Sequence, residues 1–141
     1  MPAAPQSAGY SGTPLWKKLG YKDGMAALAL GAPSRYHALL TLPREIKVTW
    51  LAKPKRDMEF VHVFTASVAE LKETLRRFRR VIAPAGVIWV SWPKKSSGVP
   101  TDITEDVIRD VALPTGLVDI KVCAVDEVWS GLKLMIRREL R

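Results

Sequence analysis

The chain of 141 residues has one cysteine and two histidines, and these shortages exclude much familiar site chemistry. Cys123 alone rules out an internal disulfide and a multi-thiolate zinc centre. It reads as a small apolar strand residue, at home in a reducing compartment. With His37 and His62 as the only imidazoles, no Ser-His-Asp order or metal-ligand cluster can be drawn. Carboxylates are not paired at useful spacing either, so the sequence offers no catalytic residue and no metal ligand. His62, between Val61 and Val63, reads as a hydrogen-bonded core imidazole.

Long apolar runs are missing as well. None approaches the roughly 20 residues of a membrane span. "MAALALGAP" is too short, and it lies too deep in the chain for a signal peptide. The expected home is the cytoplasm, with no membrane partner. No repeat is visible, which leaves one domain over residues 13–141. Ahead of it "MPAAPQSAGY" has neither periodicity nor a basic segment, so residues 1–12 read as a flexible arm.

Acidic residues are scarce relative to basic ones, 14 against 22, giving a net charge of +8. That balance suits an anionic partner: nucleotide, nucleic acid or acidic protein.

What is present alternates strand and helix. Thr13 caps a short helix with Pro14 at its first position and Gly20 beyond its end. "MAALAL" (25–30) is a continuous apolar run, as in a strand covered on both faces. A helix over 34–40 and a strand over 47–52 follow. After "KPKRDM", the run "EFVHVFT" is a third strand, and Ser67 to Glu70 is a capping box. The helix it opens buries Val68, Leu71, Leu75, Phe78 and Ile82, until Pro84 and Gly86 release the strand "VIWVSW". Asp102 and Glu105 start a helix whose inner face is Ile103, Val107 and Val111. "LVDIKVCAV", with Ile120, Val122 and Ala124 on one face, and "LKLMIRREL" form a closing antiparallel hairpin around "DEVWSG". The expected fold is a three-layer, Rossmann-like α/β sandwich with a mostly parallel sheet of about six strands.

"DMEFVHVFTASVAELKETLRRFRRVIAPAGVIWVSW", with the final hairpin, resembles the central part of S-adenosylmethionine-dependent methyltransferases over residues 57–138. There a "LKPGG"-like turn stands where this chain has "IAPAG". The strings "GYSGTPL", "LGAP", "VSWPKKSSGVPTDITEDVIRD", "TGLVDIKVCAVDEVWSGLKL" and "RREL" are also similar to a small bacterial family of unassigned function. The first resemblance implies S-adenosylmethionine as a cofactor. It also implies several glycines after the first strand and an acid at the end of the second. This chain has only Gly31 in the first loop and "WLAKPKR" at the second strand. One strand and its helix are missing between residues 52 and 59. A crossover of so few residues beside a full-length strand would be taut, which favours an edge position for the 47–52 strand and leaves its direction open.

The loops after residues 30, 64 and 92 are expected to share the carboxyl edge of the sheet, where open α/β sheets bind ligands. Gly31, Ser34, Arg35, Ser91, Trp92, Lys94, Lys95 and Ser96 would gather there, the cations and hydroxyls around an anion and the indole against a ring. The plain alternative has Trp92 plugging the sheet edge and both lysines paired with Asp102, Glu105 or Asp106. The basic cluster Arg76, Arg77 and Arg80 reads as a solvated helix face, with Glu73 near Arg77. Three functions fit: a non-catalytic binding or regulatory domain for an anionic or nucleotide-like molecule, a reduced methyltransferase, or a nucleic-acid or protein interaction module using that helix.

Overall fold

The computed structural model describes residues 12–141, so all but the last residue of the expected arm lies outside the described residues. The elements are α1 (Leu15–Leu19), β1 (Ala26–Leu30), α2 (Tyr36–Leu40), β2 (Thr49–Trp50), β3 (Met58–Phe64), α3 (Val68–Val81), β4 (Ile82–Pro93), α4 (Glu105–Ala112), β5 (Leu117–Ala124) and β6 (Trp129–Ile136). They build one sheet of order β2-β1-β3-β4-β6-β5. The first four strands of that order are parallel, and β6 runs antiparallel to both β4 and β5.

Strands covered on both faces need apolar side chains both up and down, and the central strands have them. Val61, Val63, Ile88, Val90 and Trp92 join Leu71, Leu75 and Phe78 of α3 and Ile108 of α4 in one core. Phe60, Phe64 and Trp89 join Leu15 and Leu19 of α1 and Tyr36 and Leu40 of α2 in the other. The indole of Trp89 donates to the Leu19 carbonyl at 2.8 Å, which anchors α1 to the sheet. The expected three layers are therefore present.

The direction of the 47–52 strand is parallel, and the crossover that follows it is relaxed. Only Thr49 and Trp50 pair, level with Ala26 and Ala27. Leu28 pairs with Val61, which puts the level of Met58 only two residues below that of Trp50. Residues 51–57 therefore recross about two strand spacings with little axial return, a span of roughly 12 Å against the ~24 Å seven extended residues can reach. The tautness expected from the sequence assumed a full-length strand.

Four further expectations are corrected. The helix α3 stops at Val81 and β4 begins at once, with Pro84 and Gly86 inside the strand. Between Met58↔Ile82 and Phe60↔Val87 the strand carries three extra residues, so the "APAG" segment bulges out of the ladder. Asp102 does not start α4: Thr104 caps that helix, accepting from the Val107 amide, while Asp102 accepts from the Val68 amide of α3 at 2.8 Å. The buried face of α4 is Ile108 and Ala112, with Val107 and Val111 only half covered. Ile120 and Val122 are exposed on the edge strand β5, where a bulge between Asp119 and Lys121 breaks the register.

Candidate functional site

The carboxyl edge gathers the loops expected there and a fourth. The β1 loop, the Thr65–Ser67 segment after β3 and the Lys94–Ser96 segment after β4 leave that edge, as does the 125–128 hairpin, because β6 is antiparallel to β4. Direct bonds tie them together. The Thr65 amide donates to the Ser91 carbonyl at 3.0 Å, and the Lys94 amide to the Val128 carbonyl at 2.7 Å. Thr101 Oγ1 donates to the Ala66 carbonyl at 2.8 Å, and Arg35 stands 4.0 Å from Glu127. Asp126 is buried, and its carboxylate accepts from the Val128 and Trp129 amides, so the hairpin acid holds its own turn.

Gly31 is the tightest point. Its φ is +67°, and a Cβ there would lie 2.6 Å from the Phe64 carbonyl oxygen. Only glycine lets the chain turn this close to the end of β3. From β1 the chain moves outward to β2 and then returns past β1 to β3, so the β1/β3 crevice is where strand order switches. Ligands of open α/β sheets enter at such a crevice.

The structure divides the other candidates. Gly31, Ser34 and Arg35 lead into α2 on one face of the sheet, with Ser34 and Arg35 exposed. Trp92 is buried in the core of the opposite face, and with Lys95 it lines a cleft of about 520 Å³ bounded by Val99, Thr101 and Ile103. Its indole plugs the sheet edge, as in the plainer reading. Ser96 is exposed beside Lys95. The expected pairing of Lys94 and Lys95 with acids does not occur: Glu105 and Asp106 pair with Arg109, and Asp102 caps α3. Among the described residues, both lysines lack an ion pair.

Ser91 is a correction. It is fully buried, and its hydroxyl bonds His62 Nε2 at 2.8 Å rather than facing the edge. His62 Nδ1 meets the Tyr36 hydroxyl at 2.7 Å, which meets Tyr21 at 2.7 Å. Four buried polar side chains thus satisfy one another between β3, β4, α2 and the segment after α1. Burial lowers the His62 pKa to about 3, so the ring is neutral. Burial raises both tyrosines above the ordinary phenol value. The network pins α2 directly behind the Gly31 turn.

On α3, Arg76 pairs with Glu73 at 2.8 Å, in place of the expected Glu73–Arg77 pair. Arg77 and Arg80 are exposed. Arg76 and Lys72 also border a groove of about 630 Å³ between α3 and α4, floored by Val68, Val107 and Val111.

The donor set fits S-adenosylmethionine in one half only. The Gly31 turn permits close backbone approach at the switch point. At the end of β2, where the methyltransferase pattern has a ribose-binding acid, this chain reads Leu51-Ala52-Lys53, and an ammonium accepts no hydrogen bond.

No family model and no curated protein matches the sequence. Solved structures do match the fold. A SAM-dependent methyltransferase from Aquifex aeolicus is 16% identical with a TM-score of 0.61, over 85% of this chain and 86% of that one. An O-methyltransferase from neocarzinostatin biosynthesis, solved with S-adenosylmethionine, is 14% identical with a TM-score of 0.62, over 92% of this chain and 51% of that one. An N-methyltransferase from Bradyrhizobium japonicum is 12% identical with a TM-score of 0.56, over 84% and 90%. The protein has a trimmed methyltransferase-like fold.

Proposed function

We propose that the chain is a reduced methyltransferase-like protein that holds an adenosyl-type ligand at the β1/β3 crevice. The observation that carries this reading is the Gly31 turn, pressed on the Phe64 carbonyl where strand order switches. Its support from outside the chain is that neighbours of like fold include proteins solved with S-adenosylmethionine. The role assigned here is binding: the Gly31 backbone and the Thr65–Ser67 loop border the ligand, and the buried Tyr36–His62 network keeps that border rigid.

A second reading is favoured by a specific observation. Lys53 replaces the ribose acceptor, and Lys94 and Lys95 stand without ion pairs among the described residues. A non-catalytic domain for an anionic or nucleotide-like molecule uses these cations directly.

Thermal denaturation with S-adenosylmethionine, S-adenosylhomocysteine, ADP or phosphate separates the two. A ligand at a hundred times its Kd adds about 2.7 kcal/mol, or roughly 5–10 °C for a domain of this size. On the first reading an adenosyl compound gives that shift, and Lys53→Asp enlarges it by restoring an acceptor. Because Gly31→Val also strains the fold, Lys53→Asp is the decisive variant. Shifts by phosphate or ADP alone, lost in Lys94→Ala/Lys95→Ala, establish the second reading and overturn the first. No shift with any of the four overturns both.

A further inference from the structure

Among the described residues, the layer that contains α1 and α2 reaches the last two strands only at their carboxyl-edge end, where Cys123, Val125 and Trp129 pack against it. α1 covers β4 through the Leu19–Trp89 bond, while the adjoining face of β6 and β5 has a different lining. Lys121 and Lys133 are direct cross-strand partners there. Like charges placed opposite each other destabilise a sheet, where an apolar or opposite-charge pair would stabilise it. Lys22 lies close enough to join them: the Lys133 ammonium is held below its ordinary pKa by partial burial, and by the charges of Lys121 and Lys22. Lys18 extends the row, its Nζ 3.4 Å from the Ala124 carbonyl at the far end of β5. Among the described residues none of these four lysines has an ion-pair partner. The nearby Asp23 carboxylate accepts instead from the Lys47 amide.

The sequence thus accepts a standing repulsion on one sheet face, and departures of that kind mark places where function overrides stability. The row from Ala124 to Lys121 covers about 10 Å of strand, longer than one phosphate group can span. It is a strip of exposed (Lys22, Lys121) and half-buried (Lys18, Lys133) side chains. Its neighbour Val122 pairs with Leu132, whose side chain lies in the opposite core. The exposed Val122 therefore lies on the other face and does not join the lysine strip.

We propose that this face binds the phosphodiester backbone of a single-stranded nucleic acid, with Lys18, Lys22, Lys121 and Lys133 as the phosphate contacts. A row of cations beside and along the sheet face lets a flexible strand lie on it, and affinity comes from counterions released by each contact. The binding needs no ligand at the carboxyl edge, so it stands or falls apart from the crevice.

The test is fluorescence anisotropy with labelled 15-nucleotide RNA and DNA strands between 50 and 300 mM KCl. Four contacts at a slope of about −0.7 each give log K against log [KCl] a slope of about −2.8. Lys121→Ala/Lys133→Ala halves that slope and weakens binding about 25-fold at 0.1 M KCl by the same relation. Lys121→Arg/Lys133→Arg retains the slope, which separates charge from folding. Arg76→Ala/Arg80→Ala on α3 changes neither quantity. Absence of binding at 50 mM KCl, an unchanged slope in the alanine pair, or equal loss in the α3 variant overturns the proposal. So does sedimentation with phosphatidylserine vesicles when the oligonucleotides fail to bind.

Discussion

His62 lies at the centre of the four-residue polar chain and has no polar partner beyond it. Its ring stays neutral down to about pH 3, whereas an imidazole in the unfolded chain takes a proton near pH 6.5. The unfolded state therefore binds more protons throughout that window. Stability contributed by His62 is complete above pH 6.5 and is lost as pH falls, at up to about 1.4 kcal/mol per unit. Asp119, held below the ordinary carboxylate range chiefly by its bond to Arg109, loses its contribution only below about pH 4, so pH 5 isolates the histidine. Urea melts should show a wild-type loss of about 2 kcal/mol between pH 6.5 and pH 5, and a much smaller pH dependence in His62→Leu. That variant should also start about 1–3 kcal/mol less stable, because Ser91 loses its partner. The flanking valines made the buried imidazole legible in sequence. Its partners were not, because Tyr36 and Ser91 are 26 and 29 residues away and only the folded sheet makes them neighbours.

Among the elements, α3 shows how a local signal and a distant one combine. Ser67 caps it as its sequence pattern implies, accepting from the Glu70 amide at 3.3 Å. The return half of the capping box is absent, since Glu70 accepts from the Thr65 hydroxyl instead. The first amide, on Val68, is satisfied from outside by Asp102. Ser67→Ala and Asp102→Ala should each cost about 1 kcal/mol. They serve different amides, so the double variant should approach the sum in denaturant titrations. The sequence pattern of α4 is ambiguous for a related reason. Apolar residues at 103, 107, 108, 111 and 112 admit two adjoining stripes, and propensity does not choose between them. The choice falls to Arg109, whose guanidinium bonds Asp119 on β5 at 2.9 Å and turns Ile108 and Ala112 inward. Strand formers likewise marked 47–52 correctly as β, but two paired residues at the sheet edge suffice for its place in the order.

For the whole molecule, the alternation of apolar runs with capped helices was enough to read the layered architecture and the shared carboxyl edge. The division of the edge residues between the two faces was not legible, because strand alternation sends Trp92 into one core and Ser91 into the other. Charge is the other global property. A net +8 with a lysine row that makes no ion pair among the described residues gives self-repulsion that salt screens. Raising NaCl from 10 to 150 mM should therefore raise the melting temperature of the wild type. The rise should be smaller in Lys121→Ala/Lys133→Ala, and a wild type that melts lower with added salt would contradict this account.

The slack link over residues 51–57 makes this fold a natural host for grafting. It leaves the sheet beside the outermost strand, and beyond the Leu51 amide, which donates to the Ala27 carbonyl at 2.8 Å, residues 52–57 belong to no strand. A strand-and-helix cassette spliced in there would extend the sheet outward by one position while every existing register stayed as it is. The molecule can thus be treated as a minimal chassis onto which the corresponding loop of a larger protein of like fold can be transplanted.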